Sequence, residues 1–198
     1  MIEDGDWRAI RFARDGDVLV VTIDHPASDL NAVDALLHHE LAALWRGLRR
    51  ERSARAVLLT GAGRAFCAGG DLAWFPELRT TEALDALRLD ARQMIWDLLD
   101  VELPVVCALN GHAMGLGASI ALLCDLIVAS DAARIGDPHV RVGLVAGDGG
   151  TVIWPMVLGP ARAKEHLLLG DPLGAADAER LGLLNRVVPA DEAFDTAM

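Results

Sequence analysis

Two stretches of this sequence set several glycines directly after an apolar run, the arrangement by which a chain brings backbone amides up against a ligand. In the first, Gly61-Ala62-Gly63-Arg64-Ala65-Phe66-Cys67-Ala68-Gly69-Gly70-Asp71-Leu72 follows Ala56-Val57-Leu58-Leu59-Thr60. In the second, Asn110-Gly111-His112-Ala113-Met114-Gly115-Leu116-Gly117 follows Val105-Val106-Cys107-Ala108-Leu109. Two strand-to-helix turns of this kind can aim N–H groups at one point. A third stretch, Arg134 to Gly150, is irregular, polar and glycine-rich. An unpatterned segment of that length inside a compact domain is more often functional than filler.

The elements that must position these loops alternate between strand and helix. Trp7 to Arg14 and Val18 to Asp24 are β-prone and separated by Asp15-Gly16-Asp17, which predicts a hairpin. Leu36, Leu37, Leu41, Leu44 and Leu48 recur at helical spacing between Val33 and Arg50, and Leu84, Leu87, Ala91, Met94, Ile95, Leu98 and Leu99 do so between Thr81 and Asp100. Strands are expected at Ala56–Thr60, Val105–Leu109, Asp125–Ala129 and Leu184–Val188, and helices at about Gly117–Leu123, Thr151–Leu158, Ala161–Leu169 and Ala175–Leu181. The order is that of an α/β chain.

With 198 residues, 53% of them hydrophobic, the chain can bury a sizeable core as one domain. A net charge of −11 argues against a nucleic-acid or anionic-membrane surface. Arg46, Arg49, Arg50, Arg52 and Arg55 form a basic cluster, read as a solvated helix end in preference to a polyanion contact. Cys67, Cys107 and Cys124 have no metal-ligand spacing and suggest reduced thiols. The acidic N-terminus lacks a signal-peptide pattern, and the expected compartment is the cytoplasm.

Taken together and in order, these pieces resemble the crotonase, or enoyl-CoA hydratase/isomerase, superfamily. The resemblance runs from Trp7 to Met198 and rests on His25-Pro26 with Asn31-Ala32, the Gly61–Leu72 loop, Asn110–Gly117 followed by Ala121-Leu122-Leu123-Cys124-Asp125, and Val142-Gly143-Leu144 with Gly149-Gly150-Thr151. It implies a crotonase-like ββα spiral over residues 1–190, with residues 191–198 as the start of a C-terminal helix that relatives continue. It also implies an acyl-CoA substrate whose coenzyme A is the only cofactor, no metal, no nucleic-acid or membrane partner, and assembly as a homo-trimer or hexamer. Because the sequence stops where the covering helices would begin, weakened trimerisation and exposed apolar surface are expected; sedimentation as a stable, monodisperse trimer would contradict this.

Position by position, the resemblance puts the two oxyanion-hole N–H donors on Gly70 and Leu116, and the coenzyme A moiety along Asn31, Ala32, Ala68, Gly69, Gly70, Asp71 and Leu72. Asp71 reads equally as a loop-bracing carboxylate. Hydratases of the family carry two glutamates where this chain has Ser119 and His139. Serine without a base cannot replace a carboxylate in acid/base work, whereas histidine suits proton transfer. Asp148, nine residues after His139 and beyond the turn containing Gly143 and Gly147, could orient the imidazole and raise its basicity. The same loop, with Gly147-Asp148-Gly149 and Trp154-Pro155, is similar to that of crotonase-type β-diketone hydrolases, which use histidine where this chain has Leu116. The function implied is therefore enolate-stabilising acyl-CoA chemistry with a His–Asp pair; the alternatives are β-diketone C–C bond hydrolysis and a catalytically silent acyl-CoA-binding subunit. Ser119 reads first as a small residue making room for an acyl chain, Asp137 as a turn residue before Pro138, and His112 as a loop brace. His25, His38, His39 and His166 read as surface or interface groups.

Overall fold

The structure is a computed structural model that describes residues 2–198. Strands β1 (Ile10–Asp15) and β2 (Val18–Ile23) form the antiparallel hairpin, paired from Ile10–Ile23 to Asp15–Val18. Helix α1 (Ala35–Leu48) begins at Asp34, whose carboxylate accepts the Leu37 N–H at 2.9 Å and so satisfies one orphan donor of the first turn. Three ββα units come next. They are β3 (Ala56–Gly61), β4 (Ala65–Cys67) and α2 (Thr81–Leu99); β5 (Val105–Leu109), β6 (His112–Met114) and α3 (Leu116–Leu123); and β7 (Leu126–Ser130), β8 (Arg134–Gly136) and α4 (Gly150–Leu158). The chain continues through α5 (Pro160–Leu169), β9 (Leu173–Gly174), α6 (Ala175–Arg180), β10 (Arg186–Val188) and α7 (Ala193–Ala197).

Each unit sends its first strand to one sheet and its second to another, which makes the chain an α/β spiral. The larger sheet has the order β1-β2-β3-β5-β7-β10 and is parallel from β2 onward. The smaller has the order β4-β6-β8-β9, with β4, β6 and β8 mutually parallel. Alternation decides which side chains meet. Leu19, Val21, Val57, Leu59, Cys107, Leu109 and Ile127 lie in the main core with Leu37, Leu41, Leu44 and Trp45 of α1, whereas Val20, Leu58 and Ala108 form a separate cluster against Ala197 of α7.

The smaller sheet is not anticipated by the sequence, because its strands are two or three residues long and lie inside or beside the glycine-rich loops. The irregular Arg134–Gly150 segment likewise contains β8 and a 3₁₀ turn at His139–Val142. The basic cluster is largely ion-paired: Arg49 reaches buried Asp97 at 2.5 Å and Asp100 at 3.1 Å, and Arg46 stands 3.8 Å from Asp97. These contacts tie α1 to α2. Among the described residues no helix is long and apolar enough to cross a membrane.

One buried side chain fastens the first glycine loop to the hairpin. Asn31 is 1% exposed and sits in the left-handed region at φ 51°, which asparagine tolerates better than most residues. Its Oδ1 accepts from His25 N–H at 2.9 Å, and its Nδ2 donates toward the carbonyls of Ala62, Ala65 and Phe66 at 2.9–3.2 Å. Truncation would strand these groups without partners, so Asn31→Ala should lose about 3 kcal/mol in urea unfolding; a loss under about 0.5 kcal/mol would show that the clamp is unimportant.

Candidate active site

The parallel strands β4, β6 and β8 all leave the smaller sheet at the same edge, and each of the three segments singled out in the sequence continues past the end of one of them. Ala68–Leu72 follows β4, Gly115 and Leu116 follow β6, and Asp137 to Asp148 follows β8. Carboxyl ends of parallel strands are where α/β proteins hold ligands. A cavity of about 760 Å³ opens there, with Gly70, Leu116, His139 and Asp148 all in its wall. The apolar part of the wall comes from Leu72, Trp74 and Phe75, from Leu84 and Leu87 of α2, and from Leu144. The first half of the α2 stripe thus faces the cavity; of that helix's apolar residues only Met94 and Leu98 are fully buried.

The first two loops touch backbone to backbone. A Cβ on Gly69 would lie 2.7 Å from the Met114 carbonyl oxygen, and Gly69 has φ +80°, so only glycine fits. Val33 bridges Gly70 in parallel: Val33 N–H donates to Gly69 O at 2.8 Å and Asp71 N–H donates to Val33 O at 2.9 Å. That pattern uses the amides on either side of Gly70 and turns its own N–H away from Val33. Leu116 opens α3, where the first N–H groups have no carbonyl of their own helix to bond. Among the described residues neither the Gly70 nor the Leu116 N–H is paired with a backbone carbonyl, and both residues line the cavity. Two such donors suit an oxygen on which negative charge builds up.

His139 is held from both edges of its ring. Nδ1 lies 2.5 Å from Asp137 Oδ1, and Nε2 lies 3.2 Å from Asp148 Oδ2. Asp137 Oδ1 also accepts the His139 backbone N–H at 3.3 Å, an Asx-type turn that fixes the pair locally. Burial disfavours the charged ring, but the two carboxylates together outweigh it and raise the His139 pKa to about 10. Near neutral pH the ring is an imidazolium. Asp137, read in the sequence as a turn residue, is 1% exposed and is the closer carboxylate. Its Oδ2 lies against the start of α4, where a Cβ on Gly150 would stand 2.3 Å away, so Gly150 leaves the room that Asp137 needs. The ligating atoms of Asp137, His139 and Asp148 lie within 4.8 Å of one another. They surround the imidazole rather than an open point, however, so a cation would have to displace the proton between Nε2 and Asp148.

The other expected site residues are distributed unevenly. Ala68, Gly69 and Leu72 line the cavity with Gly70. Asn31 is in the hydrogen-bonded clamp described above and Ala32 is half-buried beside it. Asp71 braces its own loop, accepting from Ala73 N–H at 2.8 Å. Ser119 is fully buried on α3, its Oγ without a partner among the described residues, and is not part of the cavity wall. His112 is exposed on β6 and braces nothing in the described residues. Two histidines read as surface or interface groups are in the interior: His25 is 8% exposed, with Nε2 3.1 Å from Asp34, and His38 is 8% exposed in the cavity wall. His39 is exposed, and His166 is half-buried against Trp154.

Comparison with known proteins agrees with this architecture. The sequence signature described as enoyl-CoA hydratase/isomerase matches residues 13–198. The crystal structure of an enoyl-CoA hydratase/isomerase from Mycobacterium paratuberculosis superposes with a TM-score of 0.89 at 40% identity, over 98% of this chain and 79% of that one. An enoyl-CoA hydratase from Bacillus anthracis gives 0.88 at 29% identity, over 96% and 74%. The carnitinyl-CoA dehydratase of Proteus mirabilis is 39% identical over 184 residues, 92% of this chain and 69% of its own length. The chain belongs to the enoyl-CoA hydratase/isomerase family and has the crotonase fold.

The raised pKa of His139 makes a testable link to stability. The folded chain binds this proton more tightly than the unfolded chain, where an imidazole titrates near about 6.5. The contribution is therefore complete below that pH and disappears as the pH rises through about 10. In thermal melts the wild type should exceed His139→Gln by the widest margin near about pH 6 and by little above about pH 10. A margin constant across that range would contradict the two-carboxylate clamp.

Proposed function

We propose that this member of the enoyl-CoA hydratase/isomerase family adds or removes water across the α,β-bond of an acyl-CoA thioester, with Asp137, His139 and Asp148 in place of the usual glutamate pair. The observation that carries the reading is the contact of His139 Nε2 with Asp148 Oδ2 at 3.2 Å in the same cavity wall that presents the free N–H groups of Gly70 and Leu116. The likeness to a carnitinyl-CoA dehydratase supports the direction of the chemistry.

In hydration, Asp148 accepts a proton from water as the water oxygen bonds to the β-carbon. The π electrons move toward the thioester oxygen, and the resulting enolate is stabilised by the N–H groups of Gly70 and Leu116. The proton on His139 Nε2 then passes to the α-carbon, and the proton taken by Asp148 returns to Nε2. One water is consumed and the relay is restored. Asp137 touches no reacting atom; it keeps the ring in place and charged. The coenzyme A moiety runs along Ala68 to Leu72, and Asn31 and Ala32 act by holding that loop. A weakened form of the trimeric or hexameric assembly expected for the family, and a cytoplasmic location, belong to the same proposal.

A second reading, hydrolysis of a C–C bond in a β-diketone, is favoured by the His139–Asp148 contact at 3.2 Å, since the same pair could activate water toward a ketone. Dependence on coenzyme A separates the two. Incubation with enoyl-CoA, 3-hydroxyacyl-CoA and cyclic β-diketone substrates should give turnover of the thioesters alone. His139→Gln and Asp148→Asn should each lower kcat by about a hundredfold or more with little change in KM. Unchanged kcat in both variants would contradict the roles given to His139 and Asp148, binding of the thioesters without turnover by the wild type would point to a silent binding subunit, and cleavage of free β-diketones would favour the second reading.

A further inference from the structure

Helix α2 carries an apolar stripe that the core does not cover. Leu84, Leu87 and Ala91 lie at helical spacing on one face, and all three line the cavity. Leu84 is 47% exposed and Leu87 and Ala91 are half-buried, whereas the helix becomes fully buried core only at Met94 and Leu98. An amphipathic helix ordinarily packs such a face against other side chains. Here the first half of the face forms cavity wall instead. Leu72, Trp74 and Phe75, which follow β4, and Leu144 and Val145, which follow the 3₁₀ turn at His139–Val142, extend that apolar wall. Leu72, Leu144 and Val145 are exposed as well.

A short acyl group would leave most of this surface in water. The cavity, at about 760 Å³, is of the size that encloses a drug-sized ligand. From Leu84 to Ala91 the stripe runs about 10 Å along the helix axis, the length of an extended chain of about eight to ten carbons. Apart from His139 and Asp148, the ionisable side chains in the wall are His38, which is 8% exposed, and Asp85 and Arg88, which pair with each other at 3.2 Å. That leaves no free charge to hold a carboxylate at the end of the chain. We propose that the site selects medium-chain acyl thioesters of about eight to ten carbons, whose hydrocarbon tail lies along Leu84, Leu87 and Ala91. Burial of the tail together with the stripe supplies the affinity. This inference rests on the acyl-CoA reading above and adds to it the size and apolar character of the acyl group.

Calorimetric titration of the wild-type chain with butanoyl-, hexanoyl-, octanoyl-, decanoyl- and dodecanoyl-CoA tests the idea, because none of these saturated thioesters can undergo hydration. Affinity should rise about two- to fourfold for each added methylene through octanoyl-CoA, the scale of burying one methylene, and level off beyond decanoyl-CoA. Leu84→Ser and Leu87→Ser should each lower the preference for decanoyl- over butanoyl-CoA about fivefold. Neither side chain is among the buried residues of α2, so both variants keep the fold. An affinity that is flat across the series, or highest for butanoyl-CoA, would overturn the proposal and leave the acyl-CoA reading in place. An unchanged chain-length preference in both variants would overturn it in the same way. If none of the five binds the folded wild type, the acyl-CoA reading falls and this one falls with it.

Discussion

The contact of His139 with two carboxylates is the interaction on which the site depends. An imidazolium between Asp137 and Asp148 places three ionisable groups in a largely enclosed space, where an unpaired charge would be costly and a paired one is held rigidly. Removal of either carboxylate leaves the other groups mismatched. The fold supplies the conditions for this pairing locally. Asp137 follows β8 directly and turns back on His139 through its own backbone N–H, and Gly150 at the head of α4 leaves space for its outer oxygen. Gly115 of the second loop approaches the His139 ring closely enough that a Cβ there would stand 3.1 Å from Cε1. His139 and the N–H groups of Gly70 and Leu116, to which the proposal gives the acid/base and oxyanion roles, are thus fixed by one set of packed backbones.

That common frame is a property of the spiral. Each unit contributes a strand to the smaller sheet, and these strands run parallel, so the loops that leave them emerge at one edge. Backbone N–H groups from two units and side chains from a third are thereby brought together. On the proposed reading, the absence of the family's glutamates changes the proton carrier and leaves the charge-stabilising half of the site untouched. Donors that are fixed before the reaction need no reorganisation when charge develops.

The larger sheet was legible because all its strands except the three-residue β10 are five or six residues long and its central ones are apolar runs, and the hairpin because Asp15-Gly16-Asp17 separates two β-prone segments. The smaller sheet was not, since strands of two or three residues carry no periodic signal. Gly70, Leu116, His139 and Asp148 could be named from the order of the motifs, and the structure gathers them around one cavity. Asp137 was hidden by the dipeptide Asp-Pro, which is ordinarily a turn signal, although its spacing of two from His139 allows the Asx contact that is observed. The position of His38 could have been inferred. Leu41, Ala42 and Trp45 are buried at helical spacing from it, so the same periodicity that marks the core face of α1 includes residue 38.

The charge state of His139 is the central claim, and nitrogen-15 NMR of its ring measures it directly. Both ring nitrogens should stay protonated through neutral pH, and their resonances should titrate near about 10. Titration of His139 near the ordinary imidazole value of about 6.5 in the intact wild-type chain would contradict the two-carboxylate clamp.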